Sequence, residues 1–235
     1  MAKPDHILIT CEHGGNRIPA RYRPLFAGLE ALLQSHRGFD PGARILAREL
    51  SRALAAPLFV STTSRLLIDL NRSIGHPALY SEATRNEPAA VRRDILQRYY
   101  LRYRNRVEAH IAAAVADGSR VVHLSSHSFT PELDGTLRKA DIGLLYDPAR
   151  PGETELCRRW QARIKAAAPE WTVRRNYPYR GRSDGFTAYL RRRFAADAYL
   201  GIELEINHRH VLAGGPHWRS LRRDVIASLR HALVS

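Results

Sequence analysis

Ile7-Leu-Ile-Thr-Cys-Glu-His-Gly-Gly-Asn16 decides how the chain is read. Ile7, Leu8 and Ile9 form the bulky apolar run expected of a buried strand. Beyond Cys11 the sequence turns polar and glycine-rich, and Pro19 interrupts any helix that would start there. A histidine where a core strand ends, beside two glycines that permit close approach of backbone and ligand, has the setting of a metal or catalytic group. Taken alone, His13 reads more simply as a solvated loop residue. Two later stretches change that balance. Val121-Val-His-Leu124 reads as a buried strand leading to Ser125-Ser-His127, and Tyr199 to Ile206 as a strand carrying Glu203 and Glu205. Open α/β sheets bind ligands outside the carboxyl ends of their strands. The three strand ends can therefore converge on one metal-activated water.

The intervening sequence alternates strand and helix signals. Arg21 to Gln34 predicts a short helix behind Pro24. The loop His36-Arg-Gly-Phe-Asp40-Pro-Gly feeds a helix over Ala43 to Ala55, with Ile45, Leu46, Leu50 and Leu54 on its apolar face. Asp40 is placed either to cap that helix or to act as a carboxylate ligand. Pro57 to Ser61 and Leu66 to Leu70 predict strands, and Asp69 sits between Arg65 and Arg72 as if in an ion-pair network. Val91, Ile95, Tyr99, Tyr103, Val107, Ile111 and Val115 recur every four residues along a helix from Pro88 to about Asp117. Ile142 to Tyr146 and Trp171 to Val173 predict further strands, and Thr154 to Ala168, Asp184 to Ala196 and Trp218 to Leu233 predict helices. The polar, cationic and aromatic segment Asn176 to Gly185 has the composition of a binding loop. Neither a repeat nor a linker interrupts residues 1–235. The pattern predicts a single α/β domain with a mainly parallel or mixed central sheet flanked by helices.

Composition limits the functional classes. Apolar residues make up 44% and charged residues 26%, the balance of a soluble globular protein. No run reaches the roughly 18 to 20 apolar residues of a membrane span. Met1-Ala-Lys-Pro-Asp-His6 lacks a signal-peptide pattern, and two cysteines make no disulfide framework. Both features predict a cytoplasmic protein. The formal charge of +14 invites a basic, non-catalytic nucleic-acid-binding protein as the rival class. Only three of the 37 basic residues are lysines, and the arginines are spread over helices without a nucleic-acid-reading motif. Solvated helix faces account for them more simply.

Five segments then combine: Cys11-Glu-His-Gly-Gly-Asn-Arg-Ile-Pro19, His36-Arg-Gly-Phe-Asp-Pro-Gly-Ala43, Ser64-Arg-Leu-Leu-Ile-Asp-Leu-Asn-Arg72, His127-Ser-Phe-Thr-Pro131 and Ile202-Glu-Leu-Glu-Ile-Asn207. In this order they resemble the N-formylglutamate amidohydrolase family, particularly its branch of predicted members, along nearly the whole chain. The resemblance implies a zinc-exopeptidase-like fold and hydrolysis of an N-acyl amino acid, N-formyl-L-glutamate or a related acidic one, at a single Zn²⁺ ion. More distantly, the order is similar to zinc muramoyl-alanine amidases, which makes a peptidoglycan-type amide the alternative substrate.

Carried over by that order, His13, Asp40 and His127 fall on metal positions and Glu205 on the catalytic base. Glu203, two residues away on the same strand face, is the rival base. Carboxypeptidase-like sites often have Glu three residues after the first His, where this chain has Asn16; Asp40 is therefore taken as the second ligand, with His36 and Glu12 as alternatives. Arg65, Asn71 and Arg72 on one segment, with Asn176 and Arg180 on the loop, are the candidates for holding substrate. A guanidinium suits a carboxylate because its planar fork donates two parallel hydrogen bonds.

Overall fold

In the computed structural model, which describes residues 5–234, Ile7 to Ile9 lie in a strand of one mixed six-stranded sheet, with Ile7 half-buried and Leu8 and Ile9 buried. Met1 to Pro4, part of the leader-free N-terminus expected above, lie outside the described residues. The strands are β1 (His6–Cys11), β2 (Leu58–Val60), β3 (Val121–Phe129), β6 (Ile142–Leu145), β7 (Val173–Arg175) and β8 (Tyr199–Asn207). A two-stranded hairpin, β4 (Glu132–Leu133) and β5 (Thr136–Leu137), fills the Pro131 to Gly135 loop. The sheet order is β2-β1-β3-β8-β6-β7; β8 and β6 are antiparallel, and every other pair is parallel. Helices α1 (Glu30–Gln34), α2 (Ala43–Leu54), α3 (Ala89–Ile95), α4 (Arg102–Ala116), α5 (Pro151–Ala167), α6 (Phe186–Arg191), α7 (His208–Ala213) and α8 (Gly215–Leu233) complete the chain.

Alternation along the central strands sorts the two faces. Leu200, Ile202, Leu204 and Ile206 of β8, with Val122 and Leu124 of β3, pack in a core shared with α2, α5 and α8. Leu8, Val107, Ile111, Phe186 and Tyr199 form the core of the opposite face, under α4 and α6. Glu203, Glu205 and His127 follow this second parity. Register sets Glu205 beside His127 and Glu203 beside Ser125, one step further from the strand ends. Across the antiparallel pair, Glu205 faces Gly143. A Cβ at Gly143 would come within 2.1 Å of the Tyr177 carbonyl oxygen, so only glycine lets the Asn176 to Gly185 loop approach Glu205.

Several expected elements differ in physically informative ways. Leu66 to Leu70 is buried but is no strand. Three of its carbonyls are taken by side chains instead: Ser81 Oγ donates to Leu66, Thr84 Oγ1 to Leu67 and Arg104 Nη1 to Leu70. That satisfies the backbone without a neighbouring strand. Arg21 to Gln34 splits into a 3₁₀ turn, Ala20–Phe26, which accommodates Pro24, and the short α1. Ile45, expected on the apolar face of α2, is 47% exposed, whereas Ala47 is buried beside Leu46 and Leu50. Asp184 to Ala196 is helical only over α6, and the last strands of the prediction shift to Val173–Arg175 and extend to Asn207.

The long helix is interrupted by a π-helical stretch, Leu96–Leu101. A strict four-residue repeat on a 3.6-residue helix drifts by about 40° per step, so it cannot stay on one face. The π turn adds one residue and resets the phase. Ile95 is therefore followed in the core by Tyr100, Arg104, Val107 and Ile111, while Tyr99 and Tyr103 are only partly buried. Arg104 lies over the rings of Tyr100, Phe186 and Tyr189, at 4.8, 4.4 and 4.4 Å from their centroids.

Candidate metal centre and substrate cavity

His13 is the second residue beyond β1, where the chain leaves the sheet. The adjoining Gly14 and Gly15 serve the chain rather than a ligand. A Cβ on either would meet Ser61 or Thr62 carbonyl oxygen at 2.9 or 2.8 Å, so the turn can fold back on the segment after β2. Asp40 is brought in by its backbone N–H, which donates to the His13 carbonyl at 2.9 Å. Its side chain does not cap α2, whose N-cap is Gly42 without a side-chain bond. His127 lies within β3 rather than beyond its end.

These three residues, all buried, offer ligand atoms that lie within 4.8 Å of one another, and are the one group of this kind among the described residues. Asp40 Oδ2 is 2.9 Å from His127 Nδ1 and 3.4 Å from His13 Nδ1. Each imidazole has a second carboxylate behind it. His13 Nε2 is 2.7 Å from Asp69 Oδ1, and His127 Nε2 is 3.2 Å from Glu12 Oε2. Outer carboxylates of this kind fix which ring nitrogen carries the proton, leaving the other as a lone-pair donor. With Nε2 protonated on both rings, two Nδ1 lone pairs and a carboxylate oxygen converge. Such a donor set requires a proton or a cation between its members, and its His-Asp-His chemistry fits a divalent zinc ion.

The electrostatics agree. Burial alone would raise Asp40, but the charge on His13 and hydrogen bonds from His127 and His13 hold it well below the ordinary carboxylate range. Burial opposes a charge on His127, yet the hydrogen bonds to Asp40 and Glu12 keep its proton affinity well above the usual histidine value. Asp69 is likewise held low against burial, by Arg65 and then His13. Arg65 donates to Asp69 Oδ2 through Nε and Nη2 at 3.1 and 2.7 Å, and reaches Asp40 Oδ1 at 3.4 Å. The expected network around Asp69 therefore contains Arg65 and His13 but not Arg72.

A cavity of about 330 Å³ opens over this cluster, lined by His13, Asp40, His127, Glu203, Glu205 and a rim that includes Arg65, Tyr179, Arg180 and Asp184. Glu205 Oε2 is buried there without a hydrogen-bond partner among the described residues. Glu203, by contrast, accepts a 2.7 Å bond from Thr187 Oγ1. Burial pushes the Glu205 carboxyl up to about 8; His127 and Arg65 oppose the rise, and Asp40 and Glu203 reinforce it. A carboxyl raised in the folded state stabilises the fold fully below its unfolded pKa of about 4.3, and that contribution is lost as pH rises through about 8. In metal-free protein, the thermal stability of Glu205→Gln should therefore gain on the parent as pH is raised from 5 to 9. Parallel melting curves at all pH values would contradict the raised carboxyl.

The other expected residues divide. Arg180 lines the cavity, is exposed, and makes no side-chain bond among the described residues. Asn71 and Arg72 also line it but are engaged: Asn71 Oδ1 accepts from Phe186 N at 2.6 Å, and Arg72 Nη1 donates to the Asp184 carbonyl at 3.1 Å. Asn176 is outside the lining; its Oδ1 accepts from Tyr146 N and Gly181 N and so shapes the loop. His36 is exposed and borders a separate cavity. Glu12 stands behind His127. The part of Tyr179 in the rim and the Asp69–His13 contact were not read from sequence; the apolar surroundings of Asp69 were the one available signal.

The fold has counterparts of known structure. A gene product of Agrobacterium tumefaciens of known crystal structure is 32% identical, with a TM-score of 0.83 over 99% of this chain and 92% of that one. The N-formylglutamate amidohydrolase of Ralstonia eutropha is 19% identical, with a TM-score of 0.66 over 99% and 95%, a likeness of fold. A comparison with curated protein sequences returned no match. The model of one family, N-formylglutamate amidohydrolase, matches residues 5–212, and with that match the chain belongs to the N-formylglutamate amidohydrolase family.

Proposed function

We propose that the protein is a zinc-dependent amidohydrolase that cleaves the amide of an acidic N-acyl amino acid, N-formyl-L-glutamate or a close relative. The observation that carries this reading is the unpartnered Glu205 carboxylate oxygen in the same cavity as the converging donors of His13, Asp40 and His127. Those three residues would hold the ion. Bound there, zinc would supply Lewis acidity, polarising an amide carbonyl and lowering the pKa of a water towards about 7. Glu205 takes the proton of the attacking water and returns it to the leaving nitrogen. Glu203, whose oxygen is committed to Thr187, supports the wall.

Recognition falls chiefly to Arg180. Its guanidinium is the cation of the rim without a bonded acceptor, while Arg65 is neutralised by Asp69 and Asp40, and Arg72 is tied to Asp184. Arg180→Lys keeps the charge but loses the fork, so KM for an acidic substrate should rise roughly tenfold with kcat little changed. An unchanged KM would remove Arg180 from this role. The buried free thiols of Cys11 and Cys157 suit a reducing cytoplasm, which we include in the proposal. Among the described residues no helix is long and apolar enough to cross a membrane.

The test is metal analysis of purified protein with an amine-release assay across N-acyl amino acids. Zinc near one equivalent and fastest release from acidic substrates support the reading. Metal-free protein without amidase activity that binds nucleic acid would overturn it in favour of the basic-protein class.

A further inference from the structure

The buried carboxylate of Glu12 takes no part in the proton transfers assigned to Glu205, yet it lies directly beneath the cluster. It is fully inaccessible to solvent. Tyr103 OH, on α4, is 3.0 Å from Oε1, and Ser125 Oγ donates to Oε2 at 2.6 Å. Ser125 Oγ is also 2.8 Å from His127 Nε2. A hydroxyl has one proton. With that proton on Glu12, Ser125 can only accept from His127, so Nε2 must be the protonated nitrogen. Glu12 and Ser125 thus agree on one tautomer, which turns the His127 Nδ1 lone pair toward Asp40.

The two histidines are supported differently. Asp69, behind His13, is shared with the Arg65 guanidinium, which neutralises much of its charge. Glu12 has only neutral hydroxyls besides the imidazole. Its carboxylate therefore keeps its full charge 3.2 Å from Nε2 and polarises Ser125 between them, and a negative group behind Nε2 raises the donor strength of Nδ1. Tyr103, whose one proton is shared between Glu12 Oε1 and the Phe59 carbonyl at 3.1 Å, covers the far side of the buried carboxylate.

Building on the proposed zinc centre, we infer that Glu12 is its positioning residue: by taking the Ser125 proton in a hydrogen bond it makes Ser125 accept from His127 Nε2, which commits Nδ1 to the ion and sets how tightly the ion is held. Glu12 does not itself touch the ion or the substrate. Outer carboxylates of this type typically change metal affinity by roughly 10- to 100-fold.

The experiment measures zinc affinity by competition with a chromophoric chelator for the parent, Glu12→Gln and His127→Ala, with circular dichroism of each metal-free protein. Glu12→Gln should fold and bind zinc roughly 10- to 100-fold more weakly, whereas His127→Ala should lose tight binding. If Glu12→Gln binds like the parent while His127→Ala does not, the role of Glu12 is overturned and the zinc reading stands. Unchanged binding in His127→Ala sinks the zinc reading itself. A second measurement needs no Glu12 variant: the imidazole ¹⁵N spectrum of zinc-loaded parent, with His127 assigned from the signal absent in His127→Ala. Protonated Nε2 and metal-bound Nδ1 are expected, and the reverse tautomer overturns the inference even if Glu12→Gln fails to fold.

Discussion

Glu205→Gln is expected to retain zinc and fold while losing roughly 10²- to 10⁴-fold in kcat, the range of a positioned general acid–base. Glutamine preserves the shape of the side chain and can still hydrogen bond, but it cannot carry the proton between water and amine. The site makes this a clean substitution. Glu205 Oε2 has no partner among the described residues to lose, and Gly143 opposite leaves the same space for an amide. Because burial disfavours the charged carboxylate in the metal-free cavity, removing the titrating group costs the fold nothing at neutral or higher pH. Glu203→Gln tests the rival: it weakens a hydrogen bond with Thr187 and should reduce kcat far less. Steady-state kinetics with metal content measured alongside decide between them. A collapse confined to Glu203→Gln would transfer the catalytic role there.

The second large effect is on metal content. His13→Ala or His127→Ala leaves only two of three converging donors and exposes an outer carboxylate, Asp69 or Glu12, that has lost its ring. Either variant should retain less than about a tenth of the parent's zinc after dialysis and lose activity in proportion, given that a hydrolytic zinc site needs three protein ligands. His36→Ala is the internal control, since His36 is exposed away from the cavity, and its zinc should be unchanged. Full zinc occupancy in His127→Ala would falsify the ligand set.

Much of this was legible in the sequence because local pattern and tertiary role coincide. Leu200, Ile202, Leu204 and Ile206 alternate with Glu203, Glu205 and Asn207, so a period of two reported both the strand and its polar face. Leu66 to Leu70 carries the same apolar character without being a strand, since a buried coil whose carbonyls are met by distant hydroxyls and a guanidinium has no periodic signature. The π turn was hidden for a related reason: a four-residue repeat looks like a helix stripe until its drift is followed through several turns. Within the site, residue type and order pointed to His13, Asp40, His127 and Glu205, which the fold brings to one cavity. Their supports, Glu12 to His127 and Asp69 to His13, join residues far apart in the chain, and nothing local marks such pairs. Arg72 and Asn71 show the converse. Their chemistry suits a ligand, but the fold spends it on the backbone of Asp184 and Phe186.

The attachment at Asp184 separates two kinds of change that the protein can accumulate. Ser73 N and Oγ bind its carboxylate at 2.9 and 2.5 Å, and Arg72 holds its carbonyl, so the Asn176 to Gly185 loop hangs from a peg outside the sheet. The proposed donors His13, Asp40 and His127, and Glu205, stand on or beside strands to which this peg makes no hydrogen bond. On the proposed function, residues of the loop tip can therefore be exchanged, altering which substrate is admitted, while the metal-binding side chains and Glu205 are left in place. Diversification of substrate within such a scaffold needs only substitutions between this peg and Asn176, which Tyr146 N and Gly181 N hold at the loop's other end, not a new centre.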